Sequence, residues 1–395
     1  MWHPRTWKDV VDAAAGGLLD ESPWVDLKKL LKPGKPGNND LAVDAAAMAL
    51  DGGMLLYGVE DHDSHAGKVV GVELAGLADR VDQVVRSKIH PPLMVRSVEI
   101  EDPARPGWGC LLVIVPPSPQ APHMVDNVYY GRSDRGNRKL SDQDVRMELA
   151  RRAQHHSDVS DQLRLLRDED AAPHEQGHLY VIVQPLAARE DLIADFLTGG
   201  DAQRAILRYS EQISRGLGYS WSPGLNDASR PQRRADGLAF TSSYDHEIKE
   251  QSFVEVVVRE DGGVALTCGR GTDSLRKPSY DNNGYRVTFP PLLLGLTHSV
   301  LALVARLAVD VSGYQGQWSV GVLLDGMKGA TAHRGNAGFH DGTPYSRAEY
   351  EQQTVTSTAE LADDVPAVVQ RLLGKLMRGL RVDGLHLPYS PEKLR

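Results

Sequence analysis

The chain has 395 residues, 41% hydrophobic and 25% charged, a globular balance that excludes wholesale disorder and fits two domains of ordinary size. Its net charge of -9 excludes a surface that coats polyanions everywhere, so any nucleic-acid site must be a local basic patch. Cys110 and Cys268 are the only cysteines, too few for a disulfide framework or a cysteine zinc site, which favours a reducing, cytoplasmic setting. Residues 10–19 have helical spacing and stop at Asp20 and Glu21. Residues 24–27 alternate in polarity like a short strand. Residues 32–39, rich in Pro, Gly and Asn, read as a turn-forming loop, with Asn39 or Asp40 capping an alanine-rich helix over 41–50. Gly52 and Gly53 break that helix, and 54–59 is a continuous apolar strand.

Further strands are predicted at 69–72, 95–101, 110–115 and 127–131, with a helix over 77–89 closed by His90, Pro91 and Pro92. Cys110 falls inside an apolar run and is expected to be a packed strand residue. Ser141 and Asp144 open another helix with a capping-box pattern. This mixed order predicts an α+β fold rather than a doubly wound sheet.

Residues 156–177 are polar and read as a helix end plus linker between a domain over 1–155 and a second, mixed domain over 178–395. In that second domain, strands are expected at 178–184, 237–242, 252–259, 264–267 and 318–324, and helices at 191–197, 202–213 and 365–377. The long apolar segment 291–311 is interrupted by Thr297, His298, Ser299 and Arg306, which predicts a buried helix rather than a membrane span. Residues 1–8 lack the apolar stretch of a secretory signal, so no membrane partner is expected. The richness in Ala, Arg, Asp and Gly points to a GC-rich bacterial genome.

Three pieces of the first domain could carry chemistry. The first is Glu21, Asp26 and Lys28 around a short strand. The second is Gly52 and Gly53, followed by the apolar strand and then Gly58, Val59, Glu60 and Asp61. The third is Pro122 and His123, then Tyr129, Tyr130 and Arg132 leading into Arg135, Arg138 and Lys139. Taken singly, each has an ordinary structural explanation: a helix stop, solvated charges, an exposed hairpin tip.

In this order and spacing, with Gly71, Val72, Pro91 and Pro92 between, the pieces resemble the Schlafen AlbA-like family over residues 8–153. The resemblance implies an α+β nucleic-acid-handling domain. In many bacterial members it implies a DNA-binding or regulatory module; in the Schlafen branch, a metal-dependent endoribonuclease that cuts transfer or ribosomal RNA. On the matching positions the metal-binding carboxylates would be Glu21, Asp26 and Asp61, with Lys28 beside them as a further catalytic residue. Hard Mg²⁺ or Mn²⁺ ions suit such oxygen ligands. Arg132, Arg135, Arg138 and Lys139 would grip the RNA or DNA backbone.

Asp26 stands where the family usually has glutamate, which shortens its reach by about 1.5 Å. The alternative expectation is therefore a non-catalytic DNA- or RNA-binding regulator whose C-terminal domain senses a ligand or partner. Related Schlafens pair two lobes around their substrate, so a homodimer is expected to supply the second. Two other features are weaker. The loop with Glu60, Asp61, His62, Asp63 and His65 offers ligands for a transition metal. The glycine-rich loop 327–345, with His333, Arg334, His340 and Asp341, offers a ligand-facing surface. No phosphate-binding loop or nucleophile-elbow serine is present.

Overall fold

Thr6 starts the first helix with a capping box: its hydroxyl accepts from the Asp9 amide, and the Asp9 carboxylate accepts from the Thr6 amide. The computed structural model describes residues 4–62, 65–133, 136–155, 159–188, 190–218, 221–243, 248–275, 285–333 and 343–394. The fold is α+β. Contacts divide it into two units, one built on residues 1–156 with the short segments 186–188 and 313–317, the other on the remainder.

In chain order the first unit contains α1 (Trp7–Ala15), β1 (Val25–Lys28), α2 (Gly34–Met48), β2 (Gly53–Tyr57), β3 (Val59–His62), β4 (His65–Val69) and β5 (Val72–Glu73). It continues with α3 (Leu77–Lys88), β6 (Ile89–His90), β7 (Arg96–Glu101), β8 (Trp108–Val115), β9 (Met124–Val125), β10 (Val128–Ser133), β11 (Gly136–Lys139) and α4 (Asp142–His155). The main sheet runs in the order β1-β2-β8-β5, with β7 on the far side of β8. β1 lies parallel to β2, pairing Asp26 with Leu55 and Lys28 with Tyr57. β8 is antiparallel to β2 and β7.

Both faces of this sheet are covered, which explains the unbroken apolar strands. Leu55 and Tyr57 of β2 join Leu111, Val113 and Val115 of β8 in a core against α2 and α3. Met54 and Leu56, with Cys110, Leu112 and Ile114, face the opposite core around Val10 and Ala13 of α1. Gly58, at φ 103°, turns the chain out of β2 into β3. A Cβ there would sit 3.1 Å from the Gly109 carbonyl oxygen.

The α2 helix begins seven residues before the expected position (34 against 41), so residues 34–39 are helix rather than loop and neither Asn39 nor Asp40 caps it. Proline and glycine break helix interiors but not first turns. Pro36 sits where no intrahelical partner for an N–H exists, and Gly37 passes so close to Lys32 that any Cβ would strike its carbonyl oxygen. A second, smaller sheet runs β11-β10-β9-β6. The predicted capping box opens α4, with the Ser141 hydroxyl accepting from the Asp144 amide and Asp144 accepting from the Ser141 amide.

The second unit opens with α5 (Val159–Asp168), β12 (Leu179–Pro185), α6 (Ala194–Thr198), α7 (Ala202–Leu217), β13 (Arg230–Arg234), β14 (Gly237–Thr241), β15 (Val254–Arg259) and β16 (Val264–Cys268). Then come β17 (Thr272–Leu275), β18 (Tyr285–Thr288), α8 (Pro290–Leu307), β19 (Gln317–Leu324), β20 (Thr331–Ala332), β21 (Tyr350–Ser357), α9 (Thr358–Asp363), α10 (Val365–Gly379) and α11 (Asp383–His386). Its large sheet has the order β13-β14-β15-β16-β12-β19-β21. The expected linker contains α5, whose Val159 and Leu163 pack on Tyr180 and Ile182 of β12 as part of a core cluster.

The apolar helix α8, with its extension to Ser312, has the length and composition to cross a membrane, but 83% of that window is buried within the fold. Its interrupting polar groups are satisfied inside. The Thr297 and Ser299 hydroxyls donate to the Leu293 and Gly295 carbonyls, and His298 Nδ1 lies 3.2 Å from the Tyr389 hydroxyl. Arg306 is exposed.

Candidate nucleic-acid interface and its charge network

Period-two alternation along β1 divides its residues between two faces. Val25 and Leu27 go to the α1-side core, while Asp26 and Lys28 project toward α2. Asp26, only 4% exposed, is held on both oxygens: Oδ1 is 2.8 Å from Lys28 Nζ and Oδ2 is 3.0 Å from Arg132 Nη1. Lys28 also reaches Asp44 of α2 at 3.4 Å, and the other Asp44 oxygen accepts from the Asn137 side-chain amide.

Arg132 comes from β10, directly opposite Asn137 in the β10–β11 hairpin. Its Nη1 donates to Asn137 Oδ1 at 3.1 Å and its Nη2 to the Ser22 carbonyl at 3.2 Å. Two buried carboxylates and two cations thus form a neutral, hydrogen-bonded set. One gap remains, since Arg132 Nε is buried with no hydrogen-bond partner among the described residues.

The electrostatics follow from this packing. Burial raises the Asp44 carboxyl above its ordinary value, against the pull of Lys28. Burial works against the Lys28 charge, but Asp44 and Asp26 outweigh it, so its ammonium is held more firmly than usual. Tyr57 is pushed up by burial and then by Asp44 and Asp26, and stays protonated.

Around this set opens a cleft of about 810 Å³. Glu21 lines it, accepting from the Leu27 amide at 3.3 Å. Its carboxyl is raised by burial and then by the neighbouring charges of Asp26 and Asp61. Asp61, exposed on β3, lines the same cleft. At the rim, Lys29 pairs with Glu60 at 2.9 Å and Lys32 with Asp40 at 3.0 Å.

The fold therefore brings Glu21, Asp26, Lys28, Asp61 and Arg132 to one cleft. Arg138 lies on β11, where it grips Asp144 at the start of α4 at 2.7 Å and holds that carboxyl well below the usual range. Lys139 is exposed beside it. Arg135 lies outside the described residues, as do Asp63, Arg334, His340 and Asp341. Sequence reasoning missed Asp44 and Asn137. The available signal was a carboxylate set among alanines near the end of a helix, four residues before its last residue.

The three carboxylates do not fit a metal in this arrangement. Both Asp26 oxygens are taken by Lys28 and Arg132, and Glu21, Asp26 and Asp61 do not form a converging ligand group among the described residues. His62 and His65 pair with different carboxylates, Glu60 at 3.8 Å and Asp20 at 3.0 Å. The acid-histidine group that does converge, and could hold a metal ion, is Asp170, His174 and His178 in the second unit.

Residues 21–141 match the family model described as Schlafen, AlbA_2. The N-terminal unit carries a Schlafen AlbA_2 domain. The match runs from Glu21 to Ser141 and takes in every residue that lines the cleft. An AlbA_2 domain associates this unit with nucleic-acid-related function. No curated protein matches the chain. Among solved structures, the DIP2311 protein from Corynebacterium diphtheriae is similar at 19% identity over 56% of this chain and 39% of that one, with a TM-score of 0.23. The chain thus spans about 39% of that protein's length, a likeness too loose to carry an argument.

Proposed function

We propose that the AlbA_2 domain binds a nucleic-acid backbone along the rim of the cleft, with Asp26 acting as an internal counter-ion rather than as a metal ligand. The observation that carries this reading is the pairing of both Asp26 oxygens, with Lys28 and with Arg132. A buried pair of this kind is costly to open. The rim pairs of Lys29 and Lys32 are exposed, so they hold weakly and are readily exchanged for phosphate. Lys139 and Arg138 follow on β11, whose Gly136 and Asn137 line the cleft. In this reading Arg132 positions the β10–β11 hairpin, and the second unit senses a ligand or partner.

Fluorescence anisotropy with a labelled RNA hairpin and a single-stranded DNA, across a salt series, tests it. Binding is expected to survive Glu21→Ala, to fall with Arg132→Ala, and to lose about 0.7–0.9 of its log-log salt slope for each phosphate contact removed at Lys29, Lys32 or Lys139. Binding indifferent to Arg132 and to the three lysines overturns the reading.

A second reading, an endoribonuclease dependent on Mg²⁺ or Mn²⁺ that cuts transfer RNA or other structured RNA, has one observation in its favour. Glu21 is raised by burial and in part by the nearby charges of Asp26 and Asp61, so three carboxylates line one cleft. It requires Asp26 to leave Lys28 and Arg132. Cleavage by wild type but not by Glu21→Ala or Asp61→Ala establishes it. Intact RNA with retained binding rejects it. A homodimer belongs to either reading as a proposal, and light scattering that shows a monomer at working concentration rejects it.

A further inference from the structure

The second unit contains a constellation that the nucleic-acid reading does not use. After α5 ends, the chain turns through residues 169–178 before β12, and the turn gathers Asp170, His174 and His178. One ligand atom from each lies within 4.8 Å of the others. The geometry points to a binding site for a divalent transition-metal ion of the zinc class on Asp170 Oδ2, His174 Nε2 and His178 Nδ1.

Four observations carry this. First, the spacing is close to that of one coordination sphere. His178 Nδ1 is 2.7 Å from Asp170 Oδ2, and the Tyr180 hydroxyl sits 3.0 Å from Asp170 Oδ2 and 3.1 Å from His174 Nε2. Atoms bound to one ion at about 2.1 Å lie no more than about 4.2 Å apart, so small rotations suffice.

Second, the donors are two imidazoles and a carboxylate, a set that suits zinc and leaves a fourth position open. Third, outer carboxylates orient these donors as they do around bound metals. His178 Nε2 faces Glu250 at 3.0 Å, and Glu250 is itself fixed by the Gln176 amide at 2.7 Å. This leaves Nδ1 as the nitrogen turned toward Asp170. Asp325 accepts from the His178 amide at 2.6 Å, which fixes the backbone of that ligand; its other oxygen lies 3.2 Å from His174 Nε2, a contact that a bound ion would replace. Asp170 Oδ1 accepts from the Ala172 amide at 2.9 Å, which aims Oδ2 at the histidines.

Fourth, access is one-sided. The side chains of Asp170 and His178 are 1% and 0% exposed, whereas that of His174 is 39% exposed. Asp170 also lines a cavity of about 510 Å³. Among the described residues no lysine or arginine hydrogen-bonds Asp170; its partners are His178, Tyr180 and the Ala172 amide.

The test uses the full chain, stripped with a chelator and titrated with Co²⁺ as a spectroscopic stand-in for Zn²⁺, with Zn²⁺ content then measured by mass spectrometry. The expected result is one ion per chain with a visible d–d band of a low-coordinate site, displaced by Zn²⁺. His174→Ala, at an exposed position, is expected to keep the thermal midpoint of the metal-free protein while the band disappears. Glu250→Gln is expected to weaken binding about 10–100-fold. A chain that takes up no Co²⁺ or Zn²⁺ overturns the proposal, leaving His178 as an imidazolium between Asp170 and Glu250. A band that survives His174→Ala places the ion elsewhere and overturns it equally.

Discussion

Asp26 on β1 and Asp170 in the turn before β12 both have buried carboxylates, each held by two side chains through hydrogen bonds of about the same length. Their neighbours differ in one property. Asp26 is answered by Arg132 and Lys28, and an arginine does not surrender its proton in a protein. Asp170 is answered by His178 and Tyr180, and an imidazole can give up a proton and present a lone pair. The first carboxylate is committed to holding the fold. The second sits in a cluster with two histidines that could hold a metal ion. Whether a buried acid is structural or available is decided by what its neighbour can release, not by the acid itself.

The largest expected effect comes from breaking the committed side. Arg132→Ala leaves Asp26 buried with one cation, and loss of one partner from such a set costs about 3–5 kcal/mol. Denaturant unfolding of the full chain should show the first unit's transition moving to lower denaturant while the second unit's stays. An unchanged first transition would mean that Asp26 is already solvated.

An acid titration sharpens the contrast from the other side. His298, buried in α8, is held neutral, its value lowered by burial to about 4. A base with a depressed folded value gives stability that is present above its unfolded value near 6.5 and lost as pH falls through the folded one. The second unit should therefore lose about 3 kcal/mol between roughly pH 6.5 and 4, and His298→Gln should flatten that slope when followed by thermal melting. The smallest effect belongs to Glu21. Its raised carboxyl favours the protonated form, so its contribution is present at low pH and lost as pH rises. Glu21→Gln should raise the thermal midpoint slightly at neutral pH and not at pH 4; a drop at neutral pH would contradict the placement of Glu21 near Asp26 and Asp61.

Much of the first unit was legible because its central strands are covered on both sides and read as apolar runs; β2 and β8 stand where 54–59 and 110–115 predict strands. The start of α2 was hidden because breaker residues lose their force in a first turn. β13 and β21 were missed for a common reason. Both are edge strands of the large sheet and are polar along their length, with Pro231 tolerated in β13 because an edge strand can spare a ladder N–H. Their pairing comes from the neighbour's pattern, not their own.

The same reasoning applies to the sites. Glu21, Asp26, Lys28, Asp61 and Arg132 could be anticipated by their order along the chain, but Asp44 and Asn137 become partners only once α2 and the β10–β11 hairpin close around β1. Asp170, His174 and His178 lie in a segment with no periodicity, so nothing in the sequence marks their convergence. It exists because α5 packs on the sheet and the turn back to β12 must be tight.

The alternation of β1 has a consequence for how the chain finds its fold. Pairing Asp26 with Leu55 and Lys28 with Tyr57 leaves Leu27 facing the α1-side core. A slip of one residue would exchange every side chain between faces, thrusting a carboxylate and an ammonium into that core and pulling the leucine out. Competing alignments of this outermost strand are thus penalised, beyond the correct one being favoured. Replacing Asp26 and Lys28 together by apolar residues of similar size would remove the penalty along with the pair, and the product would be a mixture of alignments rather than one weakened native state.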